Sequence, residues 1–230
     1  TPGDDFDLAT GFLHGEGIIR SRDDVVDVSH CTDEDEDQAL NIVNVTLRPG
    51  LVFDGSRLDR NFYTSSSCGV CGKAALDAIE VRGCTALPAG FTVDSDVISS
   101  LPRALRAAQA VFERTGGLHA AGLFDSDATL LCVREDVGRH NAVDKVIGHQ
   151  VLTGRTPLDE RVLMLSGRAS FELLQKALVA RIPVVAAVGA PSSLAVQLAD
   201  AFDVTLLGFV RDDGFNIYSG RGRITAGKGK

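Results

Sequence analysis

The stretch from residue 161 to residue 209 constrains this chain more than any other, because apolar runs of strand length alternate there with helical ones. It reads as a strand over 161–165, a helix over 171–180, a strand over 184–188, a helix over 194–201 and a strand over 204–209. Short, wholly apolar runs suit strands buried on both faces, and the segments between them are long enough for crossover helices. This succession implies an α/β fold with a mixed, mostly parallel sheet, right-handed connections and helices on both faces. Upstream, Gly116-Gly117 ends a helix expected to begin near Pro102, capped by Ser99 or Ser100, and to run to Arg114. Strands over 119–124 and 129–133 flank an Asp125-Ser126-Asp127 turn, and a helix over 141–151 follows. A hairpin over 209–218, turning at Asp212-Asp213-Gly214, closes the pattern, and the Gly-, Arg- and Lys-rich tail from Gly220 reads as loose.

The front of the chain has a different texture. Asp4 or Asp5 can cap a helix through Leu13, strands are expected over 25–28 and 41–47, and Pro49-Gly50 stops the second. Between them the acidic run 32–38 reads as a solvated loop. The expected division is a small α+β subdomain over 1–65, an α/β domain over 66–219 and a tail over 220–230. Charge follows the same division. Residues 1–40 hold twelve acidic side chains against Arg20 and Arg22, so the remainder nets about +2 although the whole chain carries −8. That balance argues against general nucleic-acid binding while leaving the second half open to anions. No apolar run approaches the roughly 18 residues of a membrane span. The opening Thr1-Pro2-Gly3 has no secretory n- and h-regions, and the expectation is a chain trimmed of a short upstream segment. Five scattered cysteines in a chain of this size fit reduced thiols and a cytoplasmic setting better than disulfide staples.

Two of those cysteines are close together. Ser65-Ser66-Ser67-Cys68-Gly69-Val70-Cys71-Gly72-Lys73 has no core face, so it is expected as an exposed loop leading into a helix near Ala74. A helix N-terminus and Lys73 both favour the thiolate there. Paired thiols at this spacing serve dithiol redox, half of a zinc site, or relay of a sulfane sulfur. Zinc needs two further ligands, yet Cys31, Cys84 and Cys132 stand apart and the histidines form no close pair. Thioredoxin-like redox has its usual strand–helix context only in part, so it stays open as a weaker reading. Deamination fails on chemistry: Gly117-Leu118-His119-Ala120-Ala121 has alanine where the general acid/base glutamate is required, and the cysteine pair precedes the histidine.

Three further segments can meet a ligand. Arg134-Glu135-Asp136-Val137-Gly138-Arg139-His140-Asn141 is expected as a charged turn entering a helix; it is either a solvated, salt-bridged loop or an anion contact built from Arg139 and His140, with Asp136 as acceptor. Ser166-Gly167-Arg168-Ala169-Ser170 and Gly189-Ala190-Pro191-Ser192-Ser193 each join a strand to a helix, where free backbone N–H groups suit phosphate. Neither is a P-loop or a dinucleotide fingerprint, and each alone would pass for an ordinary capping turn. Two such junctions at neighbouring strand ends are where open sheets bind ligands. In the final hairpin Phe209 can stack on a base, Arg211 can meet a phosphate, and Asp212 or Asp213 can accept from a guanine edge; a plain charged turn is the alternative.

Taken together these segments resemble the formate dehydrogenase accessory sulfurtransferase family. The matching stretches are Thr1-Pro2-Gly3-Asp4-Asp5-Phe6, Gly11-Phe12-Leu13, Glu16-Gly17-Ile18-Ile19, the Ser67–Lys73 loop, Thr115-Gly116-Gly117-Leu118-His119, Glu135 through Lys145, Ser166-Gly167-Arg168, Gly189 through Ser193 and Gly208 through Tyr218. The resemblance implies a cytidine deaminase-like fold with an added small domain, a homodimer, and transfer of sulfur from a cysteine desulfurase to the molybdenum bis(molybdopterin guanine dinucleotide) cofactor of formate dehydrogenase. It implies that Cys68 carries the persulfide with Cys71 assisting, and that the stretch Phe209, Val210, Arg211, Asp212, Asp213 and Gly214 belongs to the guanine site. Ser166, Gly167, Arg168 and His140 are expected to complete that site. The cofactor is then a bound substrate, GDP its expected mimic, and no structural metal, nucleic acid or membrane is expected. The alternatives are a non-catalytic cofactor chaperone and a zinc or dithiol redox protein.

Overall fold

In the computed structural model the described residues are 1–31, 40–52 and 84–227. A six-stranded sheet is at its centre, with strand order β5-β4-β6-β7-β8-β9. Its members are β4 (His119–Phe124), β5 (Leu130–Asp136), β6 (Val162–Leu165), β7 (Val184–Ala187), β8 (Thr205–Arg211) and β9 (Gly214–Ser219). β6, β7 and β8 run parallel, whereas β4 is antiparallel to both β5 and β6, and β9 is antiparallel to β8. The sheet is therefore mixed, as expected, but antiparallel pairings outnumber parallel ones and it is not mostly parallel. Its parallel part is the apolar segment that dominates the sequence, and hairpins flank it on either side.

The alternation of side chains along these strands divides the core in two. Ala121, Leu123, Leu163, Leu165, Val185, Ala187 and Leu206 face one way, against α4 (Arg139–Leu152), α5 (Phe171–Val179) and α6 (Ser193–Ala201). Ala120, Phe124, Val162, Met164, Val184, Ala186, Leu207 and Val210 face the other way, toward α2 (Ser95–Ala107) and its buried Ile98, Leu101 and Leu105. A short helix, α3 (Ala110–Thr115), follows α2 and buries no side chain of its own. At the front, α1 (Asp5–Gly15) lies on α4 so closely that glycine is required at the crossing. A Cβ on Gly11 would stand 1.8 Å from the Asp144 carbonyl oxygen, and one on Gly148 would stand 1.8 Å from that of Asp7. Arg134 on β5 fixes the same contact by ion pairs to Asp7 at 2.7 Å and Asp4 at 3.4 Å. β1 (Val25–His30) and β2 (Val43–Leu47) form a separate antiparallel pair.

Three expectations need correcting. The single helix expected up to Arg114 is two, and the first begins earlier: Asp94 caps it by accepting from the Asp96 N–H at 2.7 Å, and Pro102 sits inside it. β5 continues to Asp136, so Arg134, Glu135 and Asp136 are strand residues rather than a turn. The segment after Gly220 is anchored up to Gly227. There β10 (Ile224–Thr225) pairs in parallel with β3 (Val93–Asp94), and the buried Arg223 guanidinium donates to the Leu87 and Pro88 carbonyls at 3.3 and 3.0 Å while pairing with Asp203 at 3.1 Å. None of the helices among the described residues is long and apolar enough to cross a membrane.

Candidate functional site at the carboxyl edge of the sheet

Because β6, β7 and β8 are parallel, the loops that follow them emerge at one edge, and antiparallel β4 begins at that edge. Backbone hydrogen bonds join the loops. Ser166 and Ala120 are doubly linked, the Ser166 N–H donating to the Ala120 carbonyl at 3.0 Å and the Ala120 N–H donating to Ser166 Oγ at 2.8 Å. The Gly189 N–H donates to the Gly167 carbonyl at 2.9 Å, and the Phe209 N–H donates to the Gly189 carbonyl at 3.2 Å. Gly167 abuts the His119 ring, where an added Cβ would lie 3.2 Å from Nδ1. Serine, glycine and histidine from three elements thus share one ledge.

The hairpin residues divide by burial. Phe209 is 43% exposed and holds a left-handed backbone, φ 53°, which a bulky residue adopts only under constraint. Gly208 just before it is wedged between Pro191 and Tyr218, where a Cβ would meet both at 2.9 Å. Val210 is fully buried in the α2-side core, on the same side as Leu207, because the irregularity at left-handed Phe209 shifts the strand by one residue; its backbone, not its side chain, is what it offers at the edge. Arg211 is exposed, and its Nη1 donates to the Val188 and Val210 carbonyls at 3.0 and 3.1 Å. Asp212 and Asp213 form the exposed turn, and Gly214 begins β9. Arg168 is exposed at the neighbouring loop.

The Arg134–Asn141 segment does two different jobs. Asp136 is fully buried and cannot serve as a ligand acceptor, because it is committed to the protein: Lys145 Nζ pairs with it at 2.8 Å, and the Gly138 N–H and Asn141 Nδ2 donate to it at 2.8 and 3.1 Å. Burial alone would raise the Asp136 pKa; Lys145 and the Gly138 N–H outweigh it and hold the carboxyl down at about 2. His140, in the first turn of α4, places Nε2 3.2 Å from Ser170 Oγ and 3.8 Å from the Glu172 carboxylate. It therefore bridges α4 to the loop after β6, on the helix-rich face. Cys68 and Cys71 lie outside the described residues.

On the opposite face, toward α2 and α3, the edge opens into a cleft of about 420 Å³. Its walls include Arg106, Gln109, Phe112, His119, Ser166 and Val188. Of these only Ser166 was expected in a site. Gln109, Arg106 and Phe112 carry no motif, and His119 stood out as the remnant of a deaminase pattern and within a stretch of the family resemblance, with no site role attached. Their convergence depends on how α2 and α3 cross the sheet edge, which no local spacing reports.

This is a mixed α/β protein whose loops and cationic side chains gather at the carboxyl edge of its sheet, in the manner of α/β ligand-binding proteins. Comparison with known proteins makes the class specific. The model of the FdhD/NarQ family matches residues 1–225, and the chain belongs to that family. It is 53% identical to the sulfur carrier protein FdhD of Mycobacterium tuberculosis over 232 residues, covering 98% of this chain and 84% of that one. The sulfur carrier protein FdhD of Streptomyces avermitilis is 50% identical, with 97% of this chain and 81% of that one covered. Among solved structures it resembles the crystal structure of a putative formate dehydrogenase accessory protein from Desulfotalea psychrophila. That match has a TM-score of 0.73 and 25% identity, and covers 97% of this chain and 81% of the other.

Proposed function

We propose that this chain is a sulfur carrier that supplies sulfur to a molybdenum cofactor required by formate dehydrogenase. The observation that carries this reading is the family match over residues 1–225, with relatives of 50–53% identity named as sulfur carrier proteins. The Cys68-Gly69-Val70-Cys71 pair supplies the chemistry. The Cys68 thiolate attacks the outer sulfur of a desulfurase persulfide, forming a new S–S bond and expelling the donor's cysteine thiolate. Attack of Cys71 on the Cys68 sulfur then releases the outer sulfur as hydrosulfide toward the metal. It leaves a Cys68–Cys71 disulfide, which a cellular thiol reduces.

The substrate is molybdenum bis(molybdopterin guanine dinucleotide), and the carboxyl edge is where its nucleotide part binds. Arg168 and Arg211 are exposed at neighbouring loops there, beside Phe209. GDP is the corresponding mimic. A homodimer in the cytoplasm and a relationship to the cytidine deaminase fold complete the proposal, the last supported by a hairpin followed by a βαβαβ unit.

Incubation with a cysteine desulfurase and cysteine, followed by intact-mass spectrometry, tests the carrier step. The wild type is expected to gain the mass of one sulfur atom, and Cys68→Ala is expected not to. An equal adduct on Cys68→Ala would remove Cys68 from its role. Full activation of formate dehydrogenase by that variant would favour a cofactor chaperone instead. Stoichiometric zinc bound through Cys68 and Cys71 would favour a zinc protein.

A further inference from the structure

A second cavity lies at the other end of the helix layer. α5 begins at the carboxyl edge and runs nine residues toward the start of β7, about 13 Å away. Where it ends, a cavity of about 390 Å³ opens, its walls including His14 and Arg20 around the end of α1, Leu178 and Arg181 around the end of α5, and Cys84 and Thr85. His14 is the group in it that the fold leaves unmatched. It is 3% exposed, and its Nδ1 has no hydrogen-bond partner among the described residues. The contact of the ring with the Arg20 backbone therefore runs through Nε2, and since that contact favours the protonated ring it is made to the carbonyl. Burial keeps the ring neutral, so its one proton sits on Nε2 and Nδ1 is a bare acceptor. Leaving such an atom buried and unmatched destabilises the protein.

Two helices end here, and their dipoles alone would favour a cation. Their last carbonyls are largely taken, however. Those of Leu13 and His14 accept from the Ile18 and Gly17 N–H groups, each at 2.9 Å, and those of Ala177 and Leu178 accept from Ile182 and Arg181 at 2.8 and 2.9 Å. The cations are less fully matched. Lys176 is committed to Asp144 at 2.8 Å, but Arg181 uses only Nε on Asp159, at 2.8 Å, and keeps both Nη groups to donate. Arg20 is exposed and has no ion-pair partner among the described residues. Guanidinium groups with spare N–H donors suit an oxyanion. The bare Nδ1 adds a condition, because an anion lying against it must bring a proton of its own to donate. Inorganic phosphate keeps one at neutral pH and sulfate does not.

We propose that this cavity binds inorganic phosphate, Arg20 and Arg181 holding its charged oxygens and His14 Nδ1 accepting from its remaining hydroxyl. The site is separate from the carboxyl edge and does not depend on the cofactor reading above. Its arginines supply affinity for any oxyanion, and its histidine supplies the choice among them. The same phosphoryl chemistry could come from an ester, but an alkyl phosphate has lost its last phosphoryl proton well below about pH 8, so free phosphate is the form that the histidine selects there.

Calorimetric titration of the full chain at about pH 8 with inorganic phosphate, methyl phosphate and sulfate tests this, using His14→Leu, Arg20→Gln and Arg211→Ala. Methyl phosphate and sulfate are expected to bind the wild type about tenfold more weakly than inorganic phosphate. Leucine fills much of the space of the imidazole but offers no acceptor, so His14→Leu should bring inorganic phosphate down to the level of the other two. Its ligand-free melting temperature should hold or rise, since an unmatched buried nitrogen is removed. Arg20→Gln, at an exposed position that does not threaten the fold, should weaken all three anions about tenfold. Arg211→Ala, at the carboxyl edge, should leave all three unchanged. Equal affinity of the wild type for the three anions would overturn the role of Nδ1. Undiminished phosphate binding in Arg20→Gln, or its loss in Arg211→Ala, would overturn the placement of the anion, and a wild type that binds no phosphate would overturn the site altogether.

Discussion

His14 and Asp136 are ionisable groups that the fold holds in one protonation state, and each leaves its own trace in acid. His14 is 3% exposed, and burial, helped by the nearby Lys176 ammonium against the contact with the Arg20 backbone, pushes its pKa down from 6.5 to about 4. The unfolded chain takes up a proton between those values that the folded chain refuses. Stability present above pH 6.5 is thus lost as pH falls toward 4, by roughly 3 kcal/mol in all. Asp136 acts over a lower window. Its carboxyl is held at about 2, so its contribution is intact above the ordinary value of 3.8 and drains away as pH falls from there toward 2. Urea unfolding at stepped pH should show both declines, and His14→Gln should flatten only the one between 6.5 and 4. An unaltered slope in that variant would show that another group is responsible.

Among the elements, the α1–α4 crossing is held by absence of side chains. An alanine at Gly148 would gain about 1 kcal/mol of helix propensity, yet its methyl would collide with the Asp7 carbonyl. Gly148→Ala is expected to destabilise by about 3 kcal/mol or more, through overpacking that backbone cannot relieve; denaturant midpoints would measure it. A gain in stability would mean that the helices can part without loss. The elements also show what sequence pattern can and cannot reveal. β6 and β7 were legible because their apolar runs are buried on both faces and contain no polar residue to blur the period, and β8 repeats the signal in Leu206-Leu207 after a buried Thr205. The start of α2 was not, because Pro102 invites a helix to begin there. Its missing N–H works against the helix interior, but the buried stripe of Ile98, Leu101 and Leu105 outweighs it. β5 ran past its expected end because Glu135 and Asp136 look solvated in sequence. Their partners, the α3 N–H groups and Lys145, come from other elements. The same reason hid Gln109 and Arg106, whose place in the cleft is made by tertiary contacts alone.

At the scale of the whole molecule, the segment after Gly220 secures the α2 side of the sheet. Gly220 itself, at φ 67°, packs where a Cβ would press on Thr205, and its carbonyl accepts from Thr205 Oγ1 at 2.7 Å. Arg223 then brings a buried cation to two backbone carbonyls that no other donor reaches among the described residues. Arg223→Met should cost about 2 kcal/mol by leaving those carbonyls unmatched. The loss should appear as a lower denaturant midpoint with little change in guanosine or GDP binding, because the carboxyl edge lies elsewhere. Loss of ligand binding in step with stability would instead tie the two regions together.

The β3–β10 pairing has a consequence for how the chain is made. Thr225 Oγ1 donates to the Val93 carbonyl across 132 positions of sequence, so the strand that α2 follows gains its neighbour only after every strand of the central sheet has been synthesised. Local helices and the β4–β5 hairpin can form on the ribosome, but the α2 layer stays open until the β10 segment emerges. A translation product that stops short of that segment would present Val93 and the helix behind it to proteases and chaperones. In that sense the pairing marks a chain that has been synthesised at least as far as Thr225.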